Sequence, residues 1–288
     1  MDRFAPAAGP LSFAQVEGAP VPAAGQLWFA GGASFIGRAL VLRHQATQQE
    51  VAVPVRYRLT VDVGAELGIY RQRLSVGFAA PISIWQAGDR LRITGTNMQD
   101  AQGVSEPLGS TGIGDLRFRA KALLTPVDRK AGLALVLEFT APGGGQRDFI
   151  ATSSFTVNPR LIGSFRHRFL ALGGQLGVRF ASQRALYQDL LHNQLEWGAA
   201  LAGKLPVRRI GLALVAEAAG QLNMVSESPV QGTELRGIVR LGFLRSAIDL
   251  GGSAGFGELA PAFRGFVVVR GHLPDPKATS CPAEALTF

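Results

Sequence analysis

Apolar and polar side chains alternate with a period of two from about residue 26 almost to the end of the chain. In the stretch 114–124, GDLRFRAKALL, one face carries leucine, phenylalanine and alanine, and the other carries one acid and three cations. Such alternation is typical of β-strands with one apolar face. It predicts about twelve strands, each close to the ~9–11 residues with which a tilted strand crosses a bilayer. Their expected spans are 26–36, 55–66, 73–85, 113–124, 131–141, 153–165, 169–181, 190–202, 209–221, 234–243, 246–253 and 262–272.

The apolar register of these strands contains no charged residue, as Leu133, Leu135, Leu137 and Phe139 illustrate for the fifth strand. A closed barrel would turn this register toward lipid. An arginine at Leu135 is therefore expected to be more costly than one at Val136, which belongs to the other register.

The opposite register collects the charged residues of the strands. The remaining positions in it are mostly small or uncharged polar residues, whereas a soluble β-sandwich facing bulk water would carry many lysines, glutamates and threonines. Charges enclosed by a barrel need partners, so arginine–carboxylate pairs across the lumen are expected. The predicted lumen-lining charges are Arg56, Arg58, Asp62, Asp115, Arg117, Arg119, Lys121, Glu138, Arg160, Arg179, Glu196, Glu217, Glu234, Arg236, Arg240, Arg264 and Arg270.

Connections between the predicted strands alternate in length. Short segments such as RHR and KLPVRR follow the even strands, whereas long polar segments follow the odd ones, the longest from Gln86 to Gly112. Backbone groups in a bilayer have no water to bond with, so a sheet there must close on itself. The prediction is an all-β, closed antiparallel transmembrane β-barrel of about twelve strands, with short periplasmic turns and long extracellular loops. Residues 25–272 form this barrel, 1–24 form an irregular arm that is a candidate for the lumen, and 273–288 form a flexible tail.

Composition supports a membrane barrel and argues against other classes. Only 17% of the 288 residues are charged and 36 are glycine, while the formal net charge is +8 without any clustered run of lysine or arginine, so nucleic acid is not an expected partner. The longest apolar runs reach about half the ~20 residues of a membrane-spanning helix. No signal peptide is visible, so either the numbering begins after one or the protein is not exported. The single cysteine, Cys281, excludes a disulfide framework.

No combination of residues predicts catalysis, a metal or another cofactor. Glycine-rich stretches lack the lysine and hydroxyl residue of a phosphate-binding loop. The histidines are His44, His167, His192 and His272, and the spacing of Ser153 and Ser182 gives none of them a nucleophile and an orienting acid. Loop carboxylates that could meet calcium are Asp89, Asp100, Glu106 and Asp148, although a solvated loop is the simpler interpretation. The chain is expected not to be an enzyme.

Several phrases resemble one family. FAPAAGPLSFAQVEGAPVP, LVLRHQ, PVRYRLTVDVGAELGIY, ISIWQAGD and GIGDLRFRAKALL are similar to the N-terminal barrel domains of OmpA-like outer-membrane proteins, in a form with about twelve rather than eight strands. The resemblance covers most of the chain and concerns repeated barrel phrases, so it implies a fold more than an activity. Such proteins often continue into Asp-rich repeats and a peptidoglycan-binding domain. This chain ends in LPDPKATSCPAEALTF, so peptidoglycan anchoring is not carried over.

Two functions remain open for such a barrel in the outer membrane. The lumen arginines could line a narrow, anion-preferring path for small solutes, since rings of charge set the selectivity of pores. They could equally pair with the lumen carboxylates and close a structural barrel of the envelope. Further alternatives are a component of a larger envelope assembly and a soluble all-β binding domain. The expected partners are outer-membrane lipid, small anionic solutes and other envelope proteins.

Overall fold

The computed structural model describes residues 6–43, 50–88, 91–93, 101–103, 111–127, 130–143, 155–181, 193–206, 211–224, 231–243, 245–257 and 260–273. Within these ranges lie fifteen strands. They are β1 (Leu27–Arg43), β2 (Glu50–Tyr70), β3 (Leu74–Ala87), β4 (Leu91–Ile93), β5 (Ala101–Gly103), β6 (Gly112–Ile113), β7 (Leu116–Leu123), β8 (Ala131–Ala141), β9 (Thr156–His167), β10 (Leu170–Ala181), β11 (Gln194–Leu205), β12 (Gly211–Asn223), β13 (Gln231–Gly242), β14 (Ser246–Gly257) and β15 (Phe263–His272).

Twelve of these strands form a closed antiparallel β-barrel. Each long strand pairs with its neighbours along the chain, and the first strand, β1, pairs with the last, β15, from Trp28 opposite His272 to Gly37 opposite Phe263. The two-residue strand β6 pairs with β3 just ahead of β7. Because every wall strand has two partners, the sheet has no open edge, which is the requirement for crossing a bilayer.

All twelve predicted strands are present, which confirms the predicted all-β, closed antiparallel barrel. The fifth predicted span, 131–141, coincides with β8. Two differences lie in the connecting regions. β1 and β2 run further than expected, to Arg43 and from Glu50, and the segment predicted as the longest loop contains the small β4–β5 ladder.

The two ends of the barrel differ in the segments that they hold. We call the end that holds the segments 71–73 and 168–169 together with Phe243 and Arg245 the turn end, and the opposite end the loop end. Trp28 and His272 face each other at the turn end, so both the entry to β1 and the exit from β15 lie there.

Burial alternates along the wall strands as the sequence pattern predicts. On β8, Leu135 and Leu137 are 47% and 52% exposed, whereas Ala134 and Val136, which alternate with them, are fully buried. The outer face therefore presents large apolar side chains to the surroundings, and the inner face is enclosed. Among the described residues no helix is long and apolar enough to cross a membrane.

Local irregularities interrupt this alternation at the loop end. Where β2 pairs with β3, the register shifts by one residue at Ile84, so that Ile84 and Trp85 are both exposed and Gln86 returns to the inside. A second shift lies between Gly37 and Leu40 on β1, next to Arg38, whose φ is +53°. Such bulges bend the strand and change the direction of the side chains that come after them.

Candidate functional site in the lumen

The N-terminal arm, residues 6–24, lies inside the barrel. Phe13, Ala14 and Val16 pack against inward residues of five strands at one side of the wall: Ala171, Ala200, Ala202, Val215, Ile238, Phe266 and Val268. Further along the arm, Ala19 and Val21 pack against the opposite side, on Leu123, Ala134, Val136 and Ile162. The arm therefore crosses the lumen, in the half of the barrel nearer the turn end.

Small residues of the inner wall make room for the arm. A side chain at Gly173 would collide with the ring of Phe13, and one at Gly198 would press on Val16. The absence of a side chain at these two positions lets the arm approach the strands closely.

A cluster of six charges holds the middle of the arm, and we call it the Glu17 cluster: Glu17, Glu66, Arg119, Lys121, Glu138 and Arg160. One oxygen of Glu17, Oε1, accepts hydrogen bonds from Arg119 Nη1 and from Arg160 Nη2, both at 3.0 Å. Arg160 also donates to Glu138 at 2.9 Å, and Arg119 lies 3.4 Å from Glu66. Lys121 Nζ donates to the carbonyl oxygen of Gly18. The arm thus contributes one of three carboxylates that balance three cations.

These cations control the ionisation of Glu17. Burial by itself raises the pKa of this carboxyl, but the positive charges of Arg119, Arg160 and Lys121 outweigh burial and lower the pKa from 4.5 to about 2. Because the pKa in the folded protein is depressed, the ionised carboxylate stabilises the seated arm above pH 4.5, and this contribution is lost as the pH falls through about 2.

Acid is therefore expected to loosen the arm in a defined window. We expect the arm of the wild-type protein to stay in the lumen at neutral pH and to loosen between pH 4.5 and about 2, measured as ion conductance across a planar bilayer. Glu17→Gln has no carboxyl to titrate at this position and should lack that step. Identical pH profiles for the two proteins would contradict this role of Glu17.

A second cluster holds Ala14 and Gln15 of the arm through their backbone. Glu217 accepts hydrogen bonds from the backbone N–H of Ala14 and, at 3.2 Å, from that of Gln15. The same carboxylate lies 3.5 Å from Arg236, which is also 2.8 Å from Glu234. Charged groups of the wall therefore satisfy arm amides that strand pairing does not.

A third cluster, Asp249 with Arg240 and Arg270, is buried near the turn end. Asp249 accepts hydrogen bonds from Arg240 at 2.7 and 2.9 Å and from Arg270 at 2.7 Å. Arg270 also donates to the carbonyl oxygens of Ala7 and Ser12 in the arm, at 3.2 and 3.0 Å. This carboxylate therefore orients an arginine that binds the arm.

The seventeen charges expected in the lumen differ in how deeply the structure buries them. Arg56 is exposed beside the register shift at the loop end. Asp115, Arg117, Arg119, Arg179 and Glu196 are partly buried, with Arg179 only 2.9 Å from Glu196. The others are buried: Arg58, Asp62, Lys121, Glu138, Arg160, Glu217, Glu234, Arg236, Arg240, Arg264 and Arg270. Three further buried carboxylates were not expected there, namely Glu17, Glu66 and Asp249.

A cavity of about 120 Å³ adjoins the arm and extends toward the loop end, where Gly232, Ala260 and Pro261 line it. Its lining includes six arginines and four glutamates: Arg117, Arg119, Arg160, Arg179, Arg236, Arg264, Glu17, Glu138, Glu196 and Glu234. Positive charge is therefore in excess on the walls of this space.

The candidate catalytic and metal-binding residues form no site in the part of the chain that the structure describes. His272 is buried at the turn end, where its ring lies 4.7 Å from that of Trp28, and His167 is exposed. No three potential metal ligands come together among the described residues. The tail beyond Leu273 lies outside the described residues. So do the remaining candidates, which are His44, Asp89, Asp100, Glu106, Asp148, Ser153, Ser182 and His192.

The barrel resembles solved structures of known proteins. No protein-family model matches this sequence, and neither does any curated protein. The structure is similar to that of an outer membrane channel from Pseudomonas putida F1, with a TM-score of 0.61 and 14% identity over 88% of this chain and 98% of that one. The translocator domain of the autotransporter NalP from Neisseria meningitidis gives a TM-score of 0.47 at 10% identity, over 87% and 89% of the two chains. The first of these likenesses shows the fold, and the chain is therefore a β-barrel of the outer-membrane type.

Proposed function

We propose that this chain is an outer-membrane channel for small anionic solutes and that its N-terminal arm holds the channel closed. The main support for this proposal is the arginine-rich cavity that lies between the seated arm and the loop end. In this proposal the apolar outer face contacts lipid, the turn end faces the periplasm and the loop end faces the exterior.

The charge on the cavity wall supports selectivity for anions. Six arginines against four glutamates give the cavity a positive potential, and a confined space surrounded by low-dielectric walls concentrates the opposite charge. Charged rings of this kind select permeating ions by their sign. The small volume favours solutes of only a few heavy atoms.

Removing the arm is expected to open the channel. Deletion of residues 1–24 takes out the segment that packs on both sides of the lumen, so we expect stable openings in planar bilayers where the full chain is mostly silent. A salt gradient should then give a reversal potential of the sign expected for anions. Heat-modifiable mobility on a gel shows that the shortened barrel has closed.

The control for selectivity keeps the deletion and adds Arg117→Gln and Arg179→Gln, which remove two positive charges from the cavity wall. This variant should conduct with a weaker preference for anions. A folded, arm-deleted barrel that stays silent, or that prefers cations, would overturn the proposal.

A structural role in the envelope is the second candidate. The extensive ion pairing between the arm and the wall favours it, because a lumen filled in this way makes a rigid, closed body. Silence of both the full and the shortened chain at high protein load would support it. Membership of the OmpA-like family, the lack of enzymatic activity and the association with other envelope proteins stay predictions from the sequence.

A further inference from the structure

We infer that Arg119, Arg160 and Lys121 form a carboxylate-binding site inside the barrel, which Glu17 occupies as an internal ligand and which a small monocarboxylate entering through the cavity can take instead. This inference deepens the proposed function and rests on it for the route of the solute. It names the class of solute and the way in which that solute releases the arm.

Glu17 leaves some hydrogen-bonding groups of this site without a partner among the described residues. Both arginines bind the same oxygen, Oε1, while Oε2 accepts no hydrogen bond from the described residues although Glu17 is only 3% exposed. Nε of Arg119 and Nε of Arg160 likewise donate to no described acceptor. Arginine binds carboxylates most strongly through two parallel hydrogen bonds. A free carboxylate, which has no chain to restrain it, can adopt that bidentate geometry.

The cavity gives a solute access to these groups. Its lining includes Glu17 itself together with Arg119 and Arg160, so the ion pairs form part of the cavity wall. Other arginines lie between this site and the loop end, including Arg117 and Arg264. An anion that enters from the loop end therefore meets positive charge along its path and reaches the carboxylate site without crossing the arm.

The balance of charge favours a single carboxylate. In the Glu17 cluster three cations face three carboxylates, and removal of Glu17 leaves a net charge of one positive unit. One monocarboxylate restores neutrality, whereas a more highly charged anion would leave negative charge buried without a partner. Buried charge without a partner is strongly unfavourable.

Displacement of Glu17 also weakens the hold on the arm. The neighbouring contacts of the arm use its backbone and small apolar side chains. Lys121 Nζ donates to the carbonyl oxygen of Gly18, Arg119 Nη2 donates to that of Ala8 at 3.2 Å, and the N–H of Ala19 donates to Ser164 Oγ at 3.1 Å. Glu17 is the arm's ionised anchor in this cluster. A carboxylate that replaces Glu17 binds only when the arm is released at this point. Because a ligand shifts a protein toward the state that it binds better, this carboxylate favours the open state over the closed one.

The test measures binding without relying on conductance. Purified Glu17→Ala protein in detergent is titrated with sodium formate, at constant ionic strength against sodium chloride, and its melting temperature is followed. We expect a saturable rise of about 5 °C at a hundredfold excess over the Kd, while the wild type shows no rise because Glu17 fills the site. In planar bilayers, formate should instead raise the open probability of the wild type.

Glu196→Gln is the matched control, because it changes the charge of the cavity wall by the same unit at a residue of β11 that pairs with Arg179. It should show no formate-dependent rise, and Arg160→Met should abolish the rise in Glu17→Ala. The inference fails if Glu17→Ala does not respond, if Glu196→Gln responds equally, or if phosphate acts as well as formate. Conductance without a formate effect overturns this inference alone, whereas formate binding by a silent barrel overturns the proposed function alone.

Discussion

Replacing Asp249 with alanine is expected to lower the free energy of unfolding by about 3–5 kcal/mol. Asp249 is fully buried and faces two buried arginines, Arg240 and Arg270, with hydrogen bonds of 2.7 Å to each. Its removal leaves two cations enclosed without their carboxylate. In an interior of low dielectric, the loss of one partner is far more costly than the net contribution of the intact pair.

The measurement is a denaturant titration of the refolded barrel in detergent, with the fraction folded read from its heat-modifiable mobility. Glu196→Ala is the reference variant, because Glu196 also pairs with an arginine but is only partly buried. Its loss should be clearly smaller, since water screens a pair that it can reach. Equal losses for the two variants would show that Asp249 is not the critical partner.

An arginine on the outer face of β12 is expected to be nearly as damaging. Ala218 lies opposite Leu235, which is 48% exposed on the outside of the barrel, and it lies near the middle of its strand. Ala218→Arg should therefore cost about 2–4 kcal/mol in lipid, because a charge near the bilayer midplane has no partner there. The assay is the same titration, performed in phospholipid vesicles.

Ala219→Arg is the matched control, since the adjacent residue lines the cavity and lies opposite Glu234. A cation at this position enters the cavity instead of lipid and lies beside Glu234, which already pairs with Arg236 and Arg264, so the expected loss is smaller than that of Ala218→Arg but not zero. Val136 cannot serve as the inward control for Leu135 as the sequence suggests, because it is fully buried beneath the arm. If Ala218→Arg and Ala219→Arg lose the same stability, the outer face does not contact lipid.

The barrel was predictable because its wall follows a single physical rule. Each strand separates an apolar surrounding from an enclosed interior, so alternation appears in the sequence wherever the wall exists, as on β8. The β4–β5 ladder was not predicted, since its short strands lie in a polar segment that carries no such alternation. The extension of β2 to Glu50 lies beyond the register shift, where Val53 and Val55 are buried, so apolar rather than charged side chains face inward there.

The candidate site was predictable only in part. Asp249 and Glu66 follow from simply continuing the alternation of their strands, so the signal was present in the sequence. Glu17 could not be found in this way, because the arm has no repeating backbone geometry to give its side chains a direction. Arg56 follows the strict alternation but lies exposed, because the bulge near Arg38 changes the register of the sheet.

The contacts of Arg270 also bear on how the chain reaches its final state. This residue of the last strand, β15, binds the carbonyl oxygens of Ala7 and Ser12 near the start of the chain. Contacts between such distant parts of a sequence form late, because the entropy of closing the loop must first be overcome. The arm therefore cannot complete its contacts until the final strand has joined the first, and resistance of residues 6–24 to protease would mark barrels whose assembly has finished.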